Sequence, residues 1–281
     1  HAANAFYSSN LDDALIVTLD GGGLELNSKN EVIATSFTVW EGSGINLVNR
    51  GIFPSIHLNI GYAWQRVTKL VFGLSNGYPK GNQAGTVMAM ACMGDPDKYL
   101  DYFEKFEFLN ESYRLDDIGS DEHSDKRFDF KKMREIAARS EQDAFDVAAA
   151  LQKATERKIK HLFDQLVANT DKKNLCLSGG VVLNSVMTGK LYEWYGNKFE
   201  NIYICPVSYD AGQIKQNPRI KWEDNATPFL GEIYSADRIA RALDNGRLVS
   251  KKTTTEEVVE LLANQNIISV FSGASESGRR A

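Results

Sequence analysis

Residues 175–184, LCLSGGVVLN, constrain this chain more than any other stretch. An apolar run with strand character ends at Ser178-Gly179-Gly180, and Val181-Val182-Leu183-Asn184 leads into a segment of helical character. A strand that gives way to a helix through two glycines suits a mixed α/β architecture, and the missing Cβ atoms let the backbone approach a ligand. Gly-Gly after a strand also fits an ordinary tight turn. Two further elements of the same kind add weight. One is Ala14-Leu15-Ile16-Val17-Thr18-Leu19, a buried strand that delivers Asp20 to a turn at Gly21-Gly22-Gly23. The other is Ile202-Tyr203-Ile204-Cys205, which passes through Pro206 to Ser208-Tyr209-Asp210-Ala211-Gly212. Ligands gather at the carboxyl ends of strands in open α/β sheets. The three elements together therefore read as one nucleotide- and metal-binding cleft.

Composition narrows the class. A length of 281 residues allows one large or two medium domains, and 43% hydrophobic with 25% charged residues is ordinary for a globular protein. A net charge of −5 argues against nucleic acid as the main partner. No apolar run reaches membrane-spanning length, so no membrane partner is expected. Cys92, Cys176 and Cys205 are odd in number and lie in apolar surroundings. They read as reduced core residues of a cytoplasmic protein, not as a disulfide framework or zinc knuckle. The chain begins at His1 within a segment of mid-helix character and stops at Ser277-Gly278-Arg279-Arg280-Ala281, so both ends are expected to be cut from a longer protein.

Residues 32–40 (VIATSFTVW) read as a second strand, joined to the first by a polar turn at residues 27–30 in an antiparallel hairpin. Helical spacing marks residues 60–72, a loop is expected over 73–85, and 86–92 (TVMAMAC) reads as a short buried helix. Residues 110–132 carry dense charge and read as an exposed connector. Ser140 with Asp143 three residues on makes a capping box for a long helix. A strand at 174–177, a helix at 185–195 and the strand at 202–205 follow. Residues 217–227 read as a polar linker, 236–243 and 255–262 as helices, and 267–271 as a strand. The order gives a mixed α/β protein in two lobes.

His1, Asp20 and Asp210 are the groups placed where elements meet turns. An imidazole with carboxylates suits a divalent ion such as iron, manganese or zinc, whereas the two aspartates alone suit magnesium bridged to phosphate. His57 and His161 read as packing or surface residues, His123 as solvated, and Trp40, Trp64, Trp194 and Trp222 as core or interface residues. No Gly-x-Ser-x-Gly elbow, P-loop or complete Rossmann fingerprint is present.

In this order, HAANAFYSS, LIVTLDGGG, LCLSGGVVLNSVMTGKL and ICPVSYDAG resemble the O-carbamoyltransferases of the NodU/CmcH type, the nodulation and antibiotic-tailoring enzymes. FSGASESGRRA resembles the start of that family's Gly-Arg-x-Glu-x-Gly-Pro-Arg-Ala-Leu-Gly signature. The resemblance implies an actin-like ATPase fold of two ribonuclease H-like lobes, truncated at the N-terminus and followed by a YrdC-like α/β domain. Residues 1–135 would be the remainder of the first lobe with insertions, and 136–230 the second lobe. Residues 231–281 would be a linker and the start of the truncated YrdC-like domain. The implied activity makes carbamoyl-adenylate from ATP and carbamoyl phosphate and passes the carbamoyl group to a hydroxyl of a sugar or other small metabolite.

By the same resemblance, Asp20 and Asp210 are catalytic, and His1, Asp20 and Asp210 are metal ligands. Gly21, Gly22, Ser178, Gly179, Gly180, Val181, Asn184 and Gly212 bind nucleotide. Glu276 and Arg280, with Gly278 between them, belong to the phosphate or carbamoyl phosphate site of the second domain. A homodimer remains open. The chain departs from the family pattern in several places. A second family histidine would lie four residues before His1, and the first lobe's opening strands would precede it. A small-residue helix after Gly212 is replaced by Gln213 to Pro218, Arg279 stands where the signature has proline, and an acidic residue and lysine are replaced near residues 83–86. The isolated chain is accordingly expected to be inactive. Two other readings stand beside the transferase: an actin-like sugar kinase or ATPase, and a divergent non-catalytic nucleotide-binding protein.

Overall fold

The computed structural model describes residues 1–27, 29–55, 58–74, 83–105, 128–205, 234–246 and 253–264. Its centre is a five-stranded mixed sheet in the order β3-β2-β1-β4-β5. Strands β1 (Asp13–Leu26), β2 (Val32–Ser43) and β3 (Asn46–Pro54) form an antiparallel meander. Strands β4 (Asn174–Ser178) and β5 (Asn201–Ile204) join the other edge of β1 in parallel. As the central strand, β1 is covered on both faces, which is why residues 14–19 are buried without interruption.

Period-2 alternation sorts its side chains between two cores. Leu15, Val17 and Leu19 join Phe37, Leu175 and Leu177 under the helices α2 (Ile60–Arg66), α6 (Glu141–Ala168) and α7 (Ser185–Tyr195). Ala14 and Ile16 face the other way, with Cys176 and Cys205, under α1 (Ala2–Ser8). A π-helical turn, Val67–Val71, extends α2. Three shorter helices complete this layer: α3 (Ala84–Ala91), α4 (Leu100–Lys105) and α5 (Phe130–Ala137).

Ser140 accepts a hydrogen bond from the Asp143 N–H and starts α6, as its capping box requires. The same end of α6 is tied by charge to the loop between α3 and α4. Lys98 Nζ donates to Asp143 and Asp146 at 2.8 Å each, and Asp146, 2% exposed, also accepts from the Asp95 N–H and Gln142. Burial alone would raise the Asp146 carboxyl, but the Lys98, Asp95 and Gln142 hydrogen bonds outweigh it and hold it below its ordinary value. Lys98, with Tyr99 and Ser140, holds Asp143 well below the usual carboxylate range. Both groups bind their protons more weakly folded than unfolded. Their contribution is therefore complete above about pH 4 and lost as pH falls through the lowered values. Melting temperature between pH 7 and pH 3 should fall less in Asp146→Asn than in the unsubstituted protein. Parallel acid profiles would exclude this linkage.

Several sequence expectations are corrected. Asp20-Gly21-Gly22-Gly23 is not a turn: β1 runs through it to Leu26. Leu19 faces Phe37 and Gly23 faces Thr35, so β1 spends four steps where β2 spends two, a bulge. Strand β3 went unread because Asn49, Arg50 and Gly51 interrupt its apolar residues, a pattern suited to an edge strand. The charged connector ends earlier than expected, since Phe128 and Phe130 are buried and α5 begins at Phe130. Cys176 and Cys205 are buried, but Cys92 is exposed at the end of α3. Residues 13–54 and 174–204 share one sheet, and residues 1–222 form one compact unit.

Residues 223–281 form a second unit. Its described parts are α8 (Ala236–Asn245), capped by Ser235, and α9 (Thr255–Ala263). A capping box starts α9: Glu257 N–H donates to Thr254 Oγ1, and Thr254 N–H donates to Glu257 Oε2. Among the described residues, no helix is long and apolar enough to cross a membrane. The strand expected over 267–271 lies outside the described residues.

Candidate functional site

Helix α1 packs on the face of β1 and β4 and brings His1, at its N-cap, to Asp20. Its buried face is Ala2, Ala5 and Phe6. Polar contacts fix it along β5: Ser8 Oγ and Tyr203 OH are 3.0 Å apart, and Asn4 donates to Cys205 Sγ. His1 Nε2 stands 2.7 Å from Asp20 Oδ2.

The other carboxylate oxygen, Oδ1, accepts the Gly21 N–H at 2.7 Å and the Gly180 N–H at 3.2 Å. Burial alone would raise the Asp20 carboxyl. The His1 hydrogen bond, the Gly21 N–H, the His1 charge and the Gly180 N–H together outweigh it and hold the group below its ordinary value. Asp20 thus joins α1 to the turn after β4.

That turn is set by Gly179, whose φ of +107° is open to glycine and strained for other residues. A Cβ there would lie 2.1 Å from the Leu19 carbonyl oxygen. At Gly180 it would lie 2.8 Å from Asp20 Oδ1. A single 3₁₀ turn, Gly180–Leu183, follows, with Val181 buried in it. Asn184 is occupied elsewhere: its Oδ1 accepts the Met187 N–H to cap α7, and its Nδ2 donates to Gln152 of α6. Ser178 is fully buried, and its hydroxyl has no hydrogen-bond partner among the described residues. Gly22 lies exposed on the bulge. Asp210, Gly212, Glu276 and Arg280 lie outside the described residues, as do His57, His123 and Trp222. His161 is on α6 and contacts Gln165.

His1 and Asp20 also border a cleft of about 160 Å³ over the bulge. Its polar floor comes from Thr18, Ser36 and Thr38, and Trp40 and Glu25 also line it. Sequence reading assigned none of these residues to a site. The available signal was alternation: Thr18 and Asp20 on β1, and Ser36, Thr38 and Trp40 on β2, lie on one face of otherwise apolar strands. It also missed Gly61 of α2, where a Cβ would stand 2.6 Å from the Gly21 backbone.

One imidazole and one anionic carboxylate within 2.7 Å are donors that fit a first-row divalent ion. Among the described residues, no group of three or more His, Cys, Asp or Glu side chains could hold a metal ion.

Residues 1–214 match the family model for the carbamoyltransferase N-terminus. The chain belongs to the carbamoyltransferase family. It is 32% identical over 218 residues to nodulation protein NolO of Bradyrhizobium diazoefficiens, covering 75% of this chain and 35% of that protein. Nodulation protein NolNO of Sinorhizobium fredii is 32% identical over 222 residues, covering 75% of this chain and 28% of NolNO. Protein sll1178 of Synechocystis matches along 100% of this chain at 29% identity, covering 48% of its own length. The chain therefore spans less than half the length of each of these relatives.

Proposed function

We propose that this chain carries part of the transfer site of an ATP-dependent O-carbamoyltransferase, which passes a carbamoyl group from carbamoyl-adenylate to an alcohol. The observation that carries this reading is the double engagement of Asp20, with His1 on one oxygen and the Gly180 N–H on the other. One carboxylate then spans a metal-ligand pair and a glycine turn of nucleotide-binding type. The mixed sheet supports reading residues 1–222 as one ribonuclease H-like lobe of an actin-like domain, with the start of a YrdC-like domain beyond it.

In this reading His1 and Asp20, with Asp210, hold a divalent ion of iron, manganese or zinc. When bound, the ion supplies positive charge against the adenylate phosphate. The protein's own part is to keep Asp20 anionic and to fix its direction. The Gly179 conformation aims the Gly180 N–H at Asp20, and α1 holds His1 opposite. In the transfer, the acceptor hydroxyl oxygen bonds to the carbamoyl carbon. The bond from that carbon to the phosphate oxygen breaks, AMP leaves with the electron pair, and the hydroxyl proton passes to solvent.

The test uses the full-length protein with ATP, carbon-labelled carbamoyl phosphate and a panel of hydroxylated acceptors. Label should enter a carbamate ester, and only when ATP is present. A phosphorylated acceptor instead would overturn the proposal in favour of a kinase.

A further inference from the structure

We propose that Gly42 and Phe6 form a lock that sets the position of His1 against Asp20, which makes Gly42 a positioning residue. This role rests on the transferase reading, in which His1 and Asp20 are metal ligands. Helix α1 has seven residues, far short of the ~12–15 at which an isolated helix is even marginal in water, so its contacts fix its place. His1 is carried by that helix, since its carbonyl accepts the Ala5 N–H at 2.9 Å. Along the helix, Asn4 and Ser8 hold to Cys205 and Tyr203, and the Tyr7 hydroxyl donates to the Ile45 carbonyl at 2.7 Å. Phe6 supplies the apolar anchor and is fully buried.

The Phe6 ring lies over Gly42 of β2. A Cβ at Gly42 would stand 2.6 Å from two of the ring carbons and 2.7 Å from a third. The φ of Gly42 is outside the left-handed region, so its backbone asks for no glycine. Inside a strand paired on both sides, a glycine weakens the sheet and marks a close approach. Here it is the ring that approaches. Phe6 shares its core with Ala14, Ile16, Cys176 and Cys205, and Trp40 and Leu47 pack against them. In so close-packed a setting, a ring pushed off Gly42 takes the helix with it.

The lock acts at a distance. Gly42 does not line the cleft, and it faces Ala14, six residues before Asp20 on β1. Roughly 20 Å of strand separates it from the carboxylate. Relieving the contact to about 3.5 Å moves the ring by close to an ångström. A shift of that size at His1 carries its 2.7 Å contact with Asp20 past the ~3.2 Å reach of a hydrogen bond. Metal binding is as sensitive, because losing the supports that orient a ligating histidine costs about 10–100-fold in affinity.

The experiment uses the full-length protein with carbon-labelled histidine, read by NMR without metal and by electron paramagnetic resonance with manganese. In Gly42→Ala the ring signals of His1, recognised by their loss in His1→Gln, should shift, and manganese affinity should fall about tenfold. Adding Phe6→Leu removes the ring carbons that the new methyl meets, and should bring both readouts back toward the parent. Phe163→Leu, which trims a buried ring in the other core, should lower the melting temperature and leave both readouts unchanged. If Gly42→Ala does not fold, Phe6→Leu alone should shift the His1 signals and speed amide exchange in α1. An unmoved His1 signal in Gly42→Ala, or in Phe6→Leu where that variant stands in for it, overturns the lock. So does an equal loss of manganese in Phe163→Leu, by showing that lost stability is enough. A parent protein that binds no manganese removes the metal reading, and the lock then stands or falls on the His1 signal.

Discussion

Gly179→Ala is expected to be the most destabilising single-methyl substitution in the site. The φ of +107° strains any residue with a Cβ, and the added carbon would sit 2.1 Å from the Leu19 carbonyl oxygen, in backbone that must move. Strain of about 1–3 kcal/mol and overpacking of similar size add to roughly 4 kcal/mol. For a unit of this length that lowers the melting temperature by roughly 10 °C. Gly22→Ala is the matched control, because a Cβ there meets nothing within 4 Å and φ is not in the left-handed region. Its melting temperature should stay within about 2 °C of the parent. Calorimetry on the full-length protein reads both. If the two alanine variants melt together, the Gly179 geometry is wrong.

Asp20→Asn should remove transfer while leaving the fold. The asparagine carbonyl can still accept the Gly21 and Gly180 N–H groups, and its amide can donate to His1 Nε2. What disappears is the negative charge. Manganese affinity, followed by electron paramagnetic resonance, should drop by at least tenfold, and carbamate formation by about 10²–10³-fold. Melting should change little. Retained transfer would place the chemistry elsewhere, whereas a large fall in melting temperature would mean Asp20 is chiefly structural.

Local signals made much of this protein legible. The helix read over residues 185–195 has those limits as α7, and Ser140 with Asp143 marked the start of α6. The family motifs pointed to His1, Asp20 and the Gly180 turn, and in the structure His1 and the Gly180 N–H each hydrogen-bond to Asp20. Other features depend on partners distant in sequence. Tandem glycines after an apolar run read as a turn, because nothing local reveals that the strand continues through them to Leu26. Gly61 carries no motif, and its constraint is the Gly21 backbone forty residues earlier. The Thr18–Thr38 pair exists only once two strands are in register. The parallel partner of β1 is likewise distant: it is β4, beyond residue 170.

The Gly180-to-Asp20 hydrogen bond spans 160 positions of the chain, and this has a consequence for folding order. The β1–β2–β3 meander is local and can form early, with Asp20 already in place. Strand β4 must then return across more than a hundred residues to pair in parallel beside β1. Only that docking delivers the Gly180 amide. A half-folded chain would thus carry Asp20 without one of its restraints, and the full set of contacts would arrive with one of the slowest pairings in the sheet. The site is thereby coupled to completion of the fold.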